Sequence, residues 1–145
     1  MAFDLATYTE LLEQSEEQVR RTLHIGDDGG RQGRYEGLES VTDLYNPDVF
    51  PAHVYVRDGR VEMIYIPSGD ALKGLTRDEL EAELGDDGTR LRSRVGKHAN
   101  HYAFPRKGVA FSSDDQAVKF VEVFPPRSLE AYQTEIYREP PPFKR

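Results

Sequence analysis

Two segments of the chain repeat one pattern, in which a hydroxyl residue is followed three positions later by Gln or Glu. The segments cover residues 15–23 and 76–84. In such a capping box the hydroxyl accepts a hydrogen bond from a backbone N–H in the first turn. The Gln or Glu side chain in turn accepts one from the backbone N–H of the hydroxyl residue. Apolar residues four positions apart then lie on one helical face. Each segment therefore predicts a short, capped amphipathic helix.

The same features follow both predicted helices, in the same order. Gly-Asp-Asp-Gly comes first, at residues 26–29 and 85–88, and Gly after a helix is typical of a left-handed C-cap. A pair of β-rich runs closes each copy, over residues 53–66 and 108–124. The first pair turns at Asp58-Gly59, a dipeptide that predicts a tight hairpin. The recurrence predicts an internal repeat.

The predicted fold is α+β, with two diverged tandem units of a helix plus an antiparallel sheet and with the helices packed on one face. The chain has 145 residues, enough for one core, and is taken as a single domain over residues 1–145. The domain consists of a first unit with an N-terminal helix at 1–67, a linker at 68–75, a second unit at 76–126, and a C-terminal helix with a Pro-rich tail at 127–145. Strands are also predicted at 89–95 and 100–104, and weaker strands at 35–38 and 41–45. Strand order, and whether the two units share one sheet, stay open.

The second unit carries a family resemblance. Its segment Gly-Leu-Thr-Arg-Asp-Glu-Leu at 74–80, ending at Leu84-Gly85, resembles the helix signature of the SmpA/BamE family of small outer-membrane lipoproteins. The doubled unit is similar to the beta-lactamase-inhibitor-protein-like fold. The resemblance implies a helix-plus-sheet architecture and a sheet surface that binds another protein. A role in outer-membrane assembly is not implied, because the chain lacks a lipoprotein cysteine and has Asp86 where the lipoproteins often have Pro.

Charge and cysteine content narrow the classes of function. The 26 acidic and 19 basic residues give a net charge of -7, which disfavours a nucleic-acid groove. The basic residues Arg90, Arg92, Arg94 and Lys97 form one short group, which is not the extended positive surface that a nucleic-acid groove needs. The lack of cysteine excludes disulfides, thiolate metal sites and cysteine nucleophiles. No signal-peptide pattern or membrane-length apolar run occurs. We therefore expect a cytoplasmic protein that binds neither membrane nor nucleic acid.

Aromatic residues on the predicted strands are the first candidate site. About half of them should face the core, and the others would pave an exposed sheet face. Tyr is enriched in binding hot spots. The candidate partner-binding residues are Tyr55, Tyr65, Tyr102 and Phe104. The leading hypothesis is a non-enzymatic protein-binding or regulatory module that uses this face, takes no cofactor and holds no metal.

Histidines and one carboxylate form the alternative polar site. Its members are His53, His98, His101 and Glu122. On a strand His98 and His101 would point to opposite faces, so a metal or acid–base site would need His53 or Glu122 as well. Glu122 lies between two valines, either facing solvent or lining a groove. The alternative functions are a small metal-dependent or acid/base hydrolase using His98 and His101, and a structural homodimer paired through an open sheet edge.

Overall fold

The structure is a computed structural model that describes residues 3–85 and 87–140. This part of the chain contains four α-helices, eight strands and two 3₁₀ turns. The helices are α1 (Leu5–Leu11), α2 (Glu16–Leu23), α3 (Arg77–Leu84) and α4 (Leu129–Glu135). The strands are β1 (Arg31–Tyr35), β2 (Leu38–Leu44), β3 (His53–Arg57), β4 (Arg60–Ile66), β5 (Thr89–Arg92), β6 (Asn100–Phe104), β7 (Val109–Ser113) and β8 (Val118–Val123). The 3₁₀ turns are Asp70–Leu72 and Pro105–Lys107. Asp86 of the second Gly-Asp-Asp-Gly and residues 141–145 of the Pro-rich tail lie outside the described residues.

All eight strands form one antiparallel sheet in the order β1-β2-β3-β4-β8-β7-β6-β5. Strands β1 to β4 form one meander and β5 to β8 form another. The two meanders meet where β4 pairs with β8, at the register Tyr65↔Glu122. The prediction of an α+β fold with an antiparallel sheet is therefore confirmed. The open question of whether both halves share a sheet is answered, because they do.

Capping boxes define the start of α2 and α3, as the sequence predicts. Before α2, Ser15 Oγ accepts from Gln18 N at 3.2 Å, and Gln18 Oε1 accepts from Ser15 N at 2.9 Å. Thr76 and Glu79 make the same pair of bonds before α3, at 3.3 Å and 3.0 Å. In each helix, the capping box thus provides acceptors for two backbone N–H groups that have no partner within the helix.

We expect Ser15→Ala and Thr76→Ala each to lower the free energy of unfolding by about 1 kcal/mol, because each removes an N-cap acceptor. Urea denaturation followed by far-UV circular dichroism measures both losses. Glu17→Ala is the control, since Glu17 is exposed within α2 and should change stability by less than about 0.5 kcal/mol. Equal losses in all three variants would contradict the capping argument.

The C-terminal end of α2 and the β3–β4 turn test two further expectations. The left-handed C-cap of α2 is His24, with φ 57°, and not the predicted Gly26. The loop after it is held by Arg20, whose Nη1 donates to the carbonyl oxygen of Gly26 at 2.6 Å.

The predicted Asp58-Gly59 hairpin is confirmed. Both residues have positive φ, 54° and 78°, as a type I′ turn requires.

Several element boundaries differ from the prediction. Strand β1 begins at Arg31, four residues before the predicted strand at 35–38, and Glu36-Gly37 is a turn rather than part of a strand. Strand β5 ends at Arg92 instead of residue 95, so residues 93–99 form a loop. Within the predicted linker at 68–75, Leu72 and Leu75 are buried in the core.

Two hydrophobic clusters lie on opposite faces of the sheet. Neighbouring residues of one strand alternate between them: in β4, Ile64 and Ile66 belong to one cluster, and Met63 and Tyr65 to the other. Such alternation places the clusters on the two faces of the pleat. Helices α1, α2 and α3 contribute to the first cluster, whereas α4 contributes to the second. The expectation that all helices pack on one face therefore fails at α4.

The sheet is strongly curled around its second face. In a flat sheet of eight strands spaced about 4.8 Å apart, the edge strands β1 and β5 would be roughly 34 Å from each other. Yet Glu36, directly after β1, pairs with Arg94, two residues after β5, at 3.0 Å between Oε1 and Nε. Side chains do not span 34 Å, so the two edges approach each other. We call the second face the inner face and the first the outer face.

Candidate functional site

The four aromatic residues predicted to bind a partner divide between the two faces. Tyr102 and Phe104 are buried in the outer cluster, 8% and 3% exposed. Arg77 Nη1 donates to the Tyr102 hydroxyl at 2.8 Å. Their expected exposure is therefore wrong, because helix α3 packs on the outer face beside them. Tyr55 and Tyr65 lie on the inner face and are half-buried.

Two more rings extend the inner-face tyrosines into a continuous surface, which we call the aromatic patch: Tyr45, His53, Tyr55 and Tyr65. The Tyr45 and His53 rings are stacked, with centroids 3.7 Å apart and an interplanar angle of 8°. His53 lies 6.1 Å from Tyr55 and 5.9 Å from Tyr65. Tyr45 is 40% exposed, one of the three most exposed large hydrophobic residues that the structure describes. The patch is accessible to solvent.

A carboxylate lies beside the aromatic patch. Both oxygens of Asp43 are 3.0 Å from His53 Nδ1. Asp43 also pairs with Tyr55 across strands β2 and β3. Partial burial and the negative charge of Asp43 raise the pKa of the Tyr55 hydroxyl, which therefore remains protonated at neutral pH. The contact with Asp43 orients the His53 ring within the patch.

The alternative polar site does not come together as a whole. His98 is exposed in the loop before β6, whereas the side chains of His101 and Glu122 are each only 2% exposed. His101 Nε2 lies 3.8 Å from Glu122 Oε1. Glu122 is thus not facing solvent, which was one of the two placements that its position between two valines left open. The curl of the sheet and helix α4 enclose it.

His101 and Glu122 belong to a buried hydrogen-bond network that crosses the inner face. His101 Nδ1 lies 3.0 Å from Ser112 Oγ, and His101 Nε2 lies 2.5 Å from the Tyr132 hydroxyl. That hydroxyl donates to Glu122 Oε1 at 2.6 Å. On the other side, the Tyr35 hydroxyl donates to Glu122 Oε2. Every buried side-chain nitrogen and oxygen in the described part of the chain has a hydrogen-bond partner.

Burial sets the protonation states within this network. It lowers the pKa of His101, against the opposing effect of the Glu122 charge. It raises the pKa of Tyr35 and Tyr132 well above the usual tyrosine range, and the charge of Glu122 adds to the rise. At neutral pH the network therefore contains a neutral imidazole and two protonated phenols around Glu122.

Arg94 supplies the positive charge next to Glu122. Its Nη1 lies 3.3 Å from Glu122 Oε2, and its Nη2 donates to the Tyr35 hydroxyl at 2.6 Å. Its Nε pairs with Glu36. The guanidinium carbon lies 4.2 Å from the Phe120 ring centroid and 5.6 Å from that of Tyr65. Arg94 therefore links both edges of the sheet to its centre.

Sequence reasoning missed Arg94, Tyr35 and Tyr132 as site residues. It placed Arg94 in a basic surface group with Arg90, but the Arg94 side chain is directed inward and pairs with carboxylates. Gly96, directly after the predicted strand at 89–95, is the local signal that strand β5 ends before residue 95. Tyr132 is followed four residues later by Ile136, and both are 0% exposed, so α4 carries an apolar face that the sequence does reveal.

Helix α4 covers only part of the inner face. Its Tyr132 ring stacks on Phe124 with centroids 5.1 Å apart, and the Ile136 carbonyl accepts from Gly37 N at 2.8 Å. A Cβ at Gly37 would lie 2.7 Å from the Glu135 carbonyl oxygen, so the absence of a side chain permits this close approach. The aromatic patch lies beyond α4 and stays partly open.

No match to this chain is found among models of protein families, curated proteins or solved structures. Within residues 3–85 and 87–140, no group of three or more His, Asp or Glu side chains is arranged to hold a metal ion. None of the described helices combines the length and the apolar composition needed to cross a bilayer.

Proposed function

We propose that this chain is a protein-binding module and that the aromatic patch is its contact surface. The observation that carries the proposal is that α4 covers only part of the inner face and leaves Tyr45, His53, Tyr55 and Tyr65 in partial contact with water. Tyrosine offers a large, rigid contact area with a polar tip, which suits a protein interface. A contiguous group of such rings on one sheet face supports a binding role.

The chemistry of the patch favours a partner that presents a basic side chain. The faces of tyrosine rings attract cations, and the carboxylate of Asp43 lies within hydrogen-bond distance of His53 in the same surface. Arg94 already packs against the Tyr65 ring, which provides an example within this chain of a guanidinium on these aromatic residues. The net charge of -7 adds long-range attraction for a basic partner.

A binding role also agrees better with the buried network than a hydrolase role does. Both ring nitrogens of His101 already have partners, and the Glu122 side chain is 2% exposed. A general base must reach the proton that it abstracts. A network closed in this way is better suited to fixing the shape of the inner face.

We also propose that the two halves are diverged tandem units. Each half has a capping-box helix followed by a four-stranded meander, and the strand order runs β1 to β4 in one half and β8 to β5 in the other. The closing strands β4 and β8 pair at the centre. Such a relation would give both halves a similar curvature and would explain a single curled sheet built from two short meanders.

Site-specific photo-crosslinking tests the binding role directly. A photoreactive phenylalanine analogue placed at Tyr45 is expected to crosslink a defined protein in native cells. The same analogue at Val49 is the matched control, because both positions are 40% exposed and Val49 lies outside the patch. Tyr55→Lys is expected to abolish the Tyr45 adduct, since it adds a positive charge where the partner presents one.

A partner crosslinked from Tyr45 but not from Val49, and lost with Tyr55→Lys in a variant that keeps its circular dichroism spectrum, would support the proposal. Equal adducts from both positions, or no adduct from Tyr45, would contradict it. An adduct with a second copy of this chain would favour the homodimer alternative instead, and sedimentation at several concentrations would check that result.

A further inference from the structure

We infer that the inner face contains a guanidinium-binding site, which Arg94 occupies in the chain by itself and which an arginine side chain of the partner enters in its place. We call this site the Arg94 cage and define it by Tyr35, Tyr65, Phe120, Glu36 and Glu122. The inference deepens the proposed function and rests on it only for the identity of the external ligand.

The Arg94 cage is shaped for a planar cation. Phe120 lies under the guanidinium at 4.2 Å, and the rings of Tyr35 and Tyr65 flank it at 5.2 Å and 5.6 Å. Aromatic faces around a cation are a recurrent recognition device. Two carboxylates and one phenol accept its N–H groups in different directions. Without Arg94, the cage would hold the carboxylates of Glu36 and Glu122 with no cation.

The arrangement of acceptors selects guanidinium over ammonium. Nε faces Glu36, Nη1 faces Glu122 and Nη2 faces the Tyr35 hydroxyl, so three different nitrogens of one plane are used. An ammonium group is a compact point charge that cannot reach three separated acceptors while stacking on a ring. Arginine is therefore the ligand class that the cage fits.

Arg94 comes from a segment that is only partly packed. The loop at residues 93–99 has no regular secondary structure, and Val95, directly after Arg94, is 48% exposed. Gly96 has φ 137°, a conformation that few other residues adopt. Ser93, whose hydroxyl contacts Ser112 at 2.9 Å, anchors the base of the loop. This anchor would allow the Arg94 side chain to leave while strand β5 stays in place.

The cage opens towards the aromatic patch. The Arg94 side chain is 26% exposed, and Tyr65 belongs to both the cage and the patch. Tyr35 contacts Tyr55 with ring centroids 5.0 Å apart. A partner that lies on the patch would therefore present an arginine at the open side of the cage. Such exchange makes Arg94 an internal competitor that lowers the apparent affinity for the partner.

The test compares Arg94→Ala with the wild-type chain, using N-acetylarginine amide as the probe and N-acetyllysine amide as its matched control. Calorimetric titration and the shift in Tm measure binding. Arg94→Ala is expected to bind the arginine probe at least about tenfold more tightly than wild type, because the wild-type side chain competes at high effective concentration. The lysine probe is expected to raise Tm no more than the same concentration of sodium chloride.

The inference would be overturned by equal binding of the arginine probe to both proteins, by equal binding of the two probes to Arg94→Ala, or by no binding to either protein. Adding Glu122→Gln to Arg94→Ala should remove the arginine-specific rise in Tm, and its persistence would place the probe elsewhere. If Arg94→Ala is unfolded alone, the arginine probe should restore its near-UV circular dichroism, and the absence of this recovery also overturns the inference. None of these measurements needs a partner, so failure here leaves the photo-crosslinking result intact, and the reverse holds too.

Discussion

Arg94→Met is expected to lower the free energy of unfolding by about 3–5 kcal/mol, the usual cost of removing one partner from a buried ion pair. The methionine retains much of the apolar contact with Phe120 but leaves the Glu122 carboxylate, 2% exposed, without its cation. It also removes the link between Glu36 and the centre of the sheet, which holds the curled edges together. Urea denaturation at neutral pH measures the loss.

Two further variants isolate the ion pair from other effects of the substitution. Arg21→Met removes an exposed arginine whose partner Glu17 is 3.9 Å away, and it should cost less than about 1 kcal/mol. Combining Arg94→Met with Glu122→Gln removes the uncompensated charge. The double variant should therefore be more stable than the sum of the two single losses indicates. An Arg94→Met loss no larger than that of Arg21→Met would reject the role of Arg94 in closing the sheet.

The elements that the sequence predicts well are those with local causes. The capping boxes at Ser15 and Thr76 and the Asp58-Gly59 turn depend on residues within a few positions of each other. Strand β1 was missed at its start, because Arg31 and Gln32 carry little β-propensity and are held in the sheet by pairing with Asp43 and Thr42 of β2. At such an edge strand, pairing with the neighbouring strand outweighs the low intrinsic β-propensity of the residues.

The buried network depends on contacts between distant parts of the chain. Tyr35 and Glu122 are 87 residues apart, and Arg94 and Tyr35 are 59 apart. Alternation correctly places Glu122 on the face opposite Val121. It does not tell whether that face is open or covered, because coverage depends on the curl of the sheet and on α4. The four candidate partner-binding aromatic residues lie on both faces, and of these four only Tyr102 and Phe104 are buried.

The stability of this protein should fall as the pH is lowered through about 6.5, and His101 is the residue that causes the fall. Burial lowers the pKa of His101 below its ordinary value of 6.5, so the unfolded chain binds the proton more tightly than the folded one. The His101 contribution is fully present above pH 6.5 and is lost as the pH falls towards the folded-state pKa. The slope is at most about 1.4 kcal/mol per pH unit.

Glu122, Arg94, Tyr132 and Tyr137 are the titratable groups around the His101 ring, and none of the changes in the test alters them. His101→Gln keeps a donor for the Tyr132 hydroxyl and removes the imidazole, so its stability should lose this slope between pH 7 and pH 5. His98→Gln is the matched control, because His98 is exposed three residues away, and it should keep the wild-type slope. Urea midpoints across the pH range give the comparison. A slope that survives His101→Gln unchanged would mean that the imidazole does not titrate with folding, and it would reject His101 as the cause of the fall in stability.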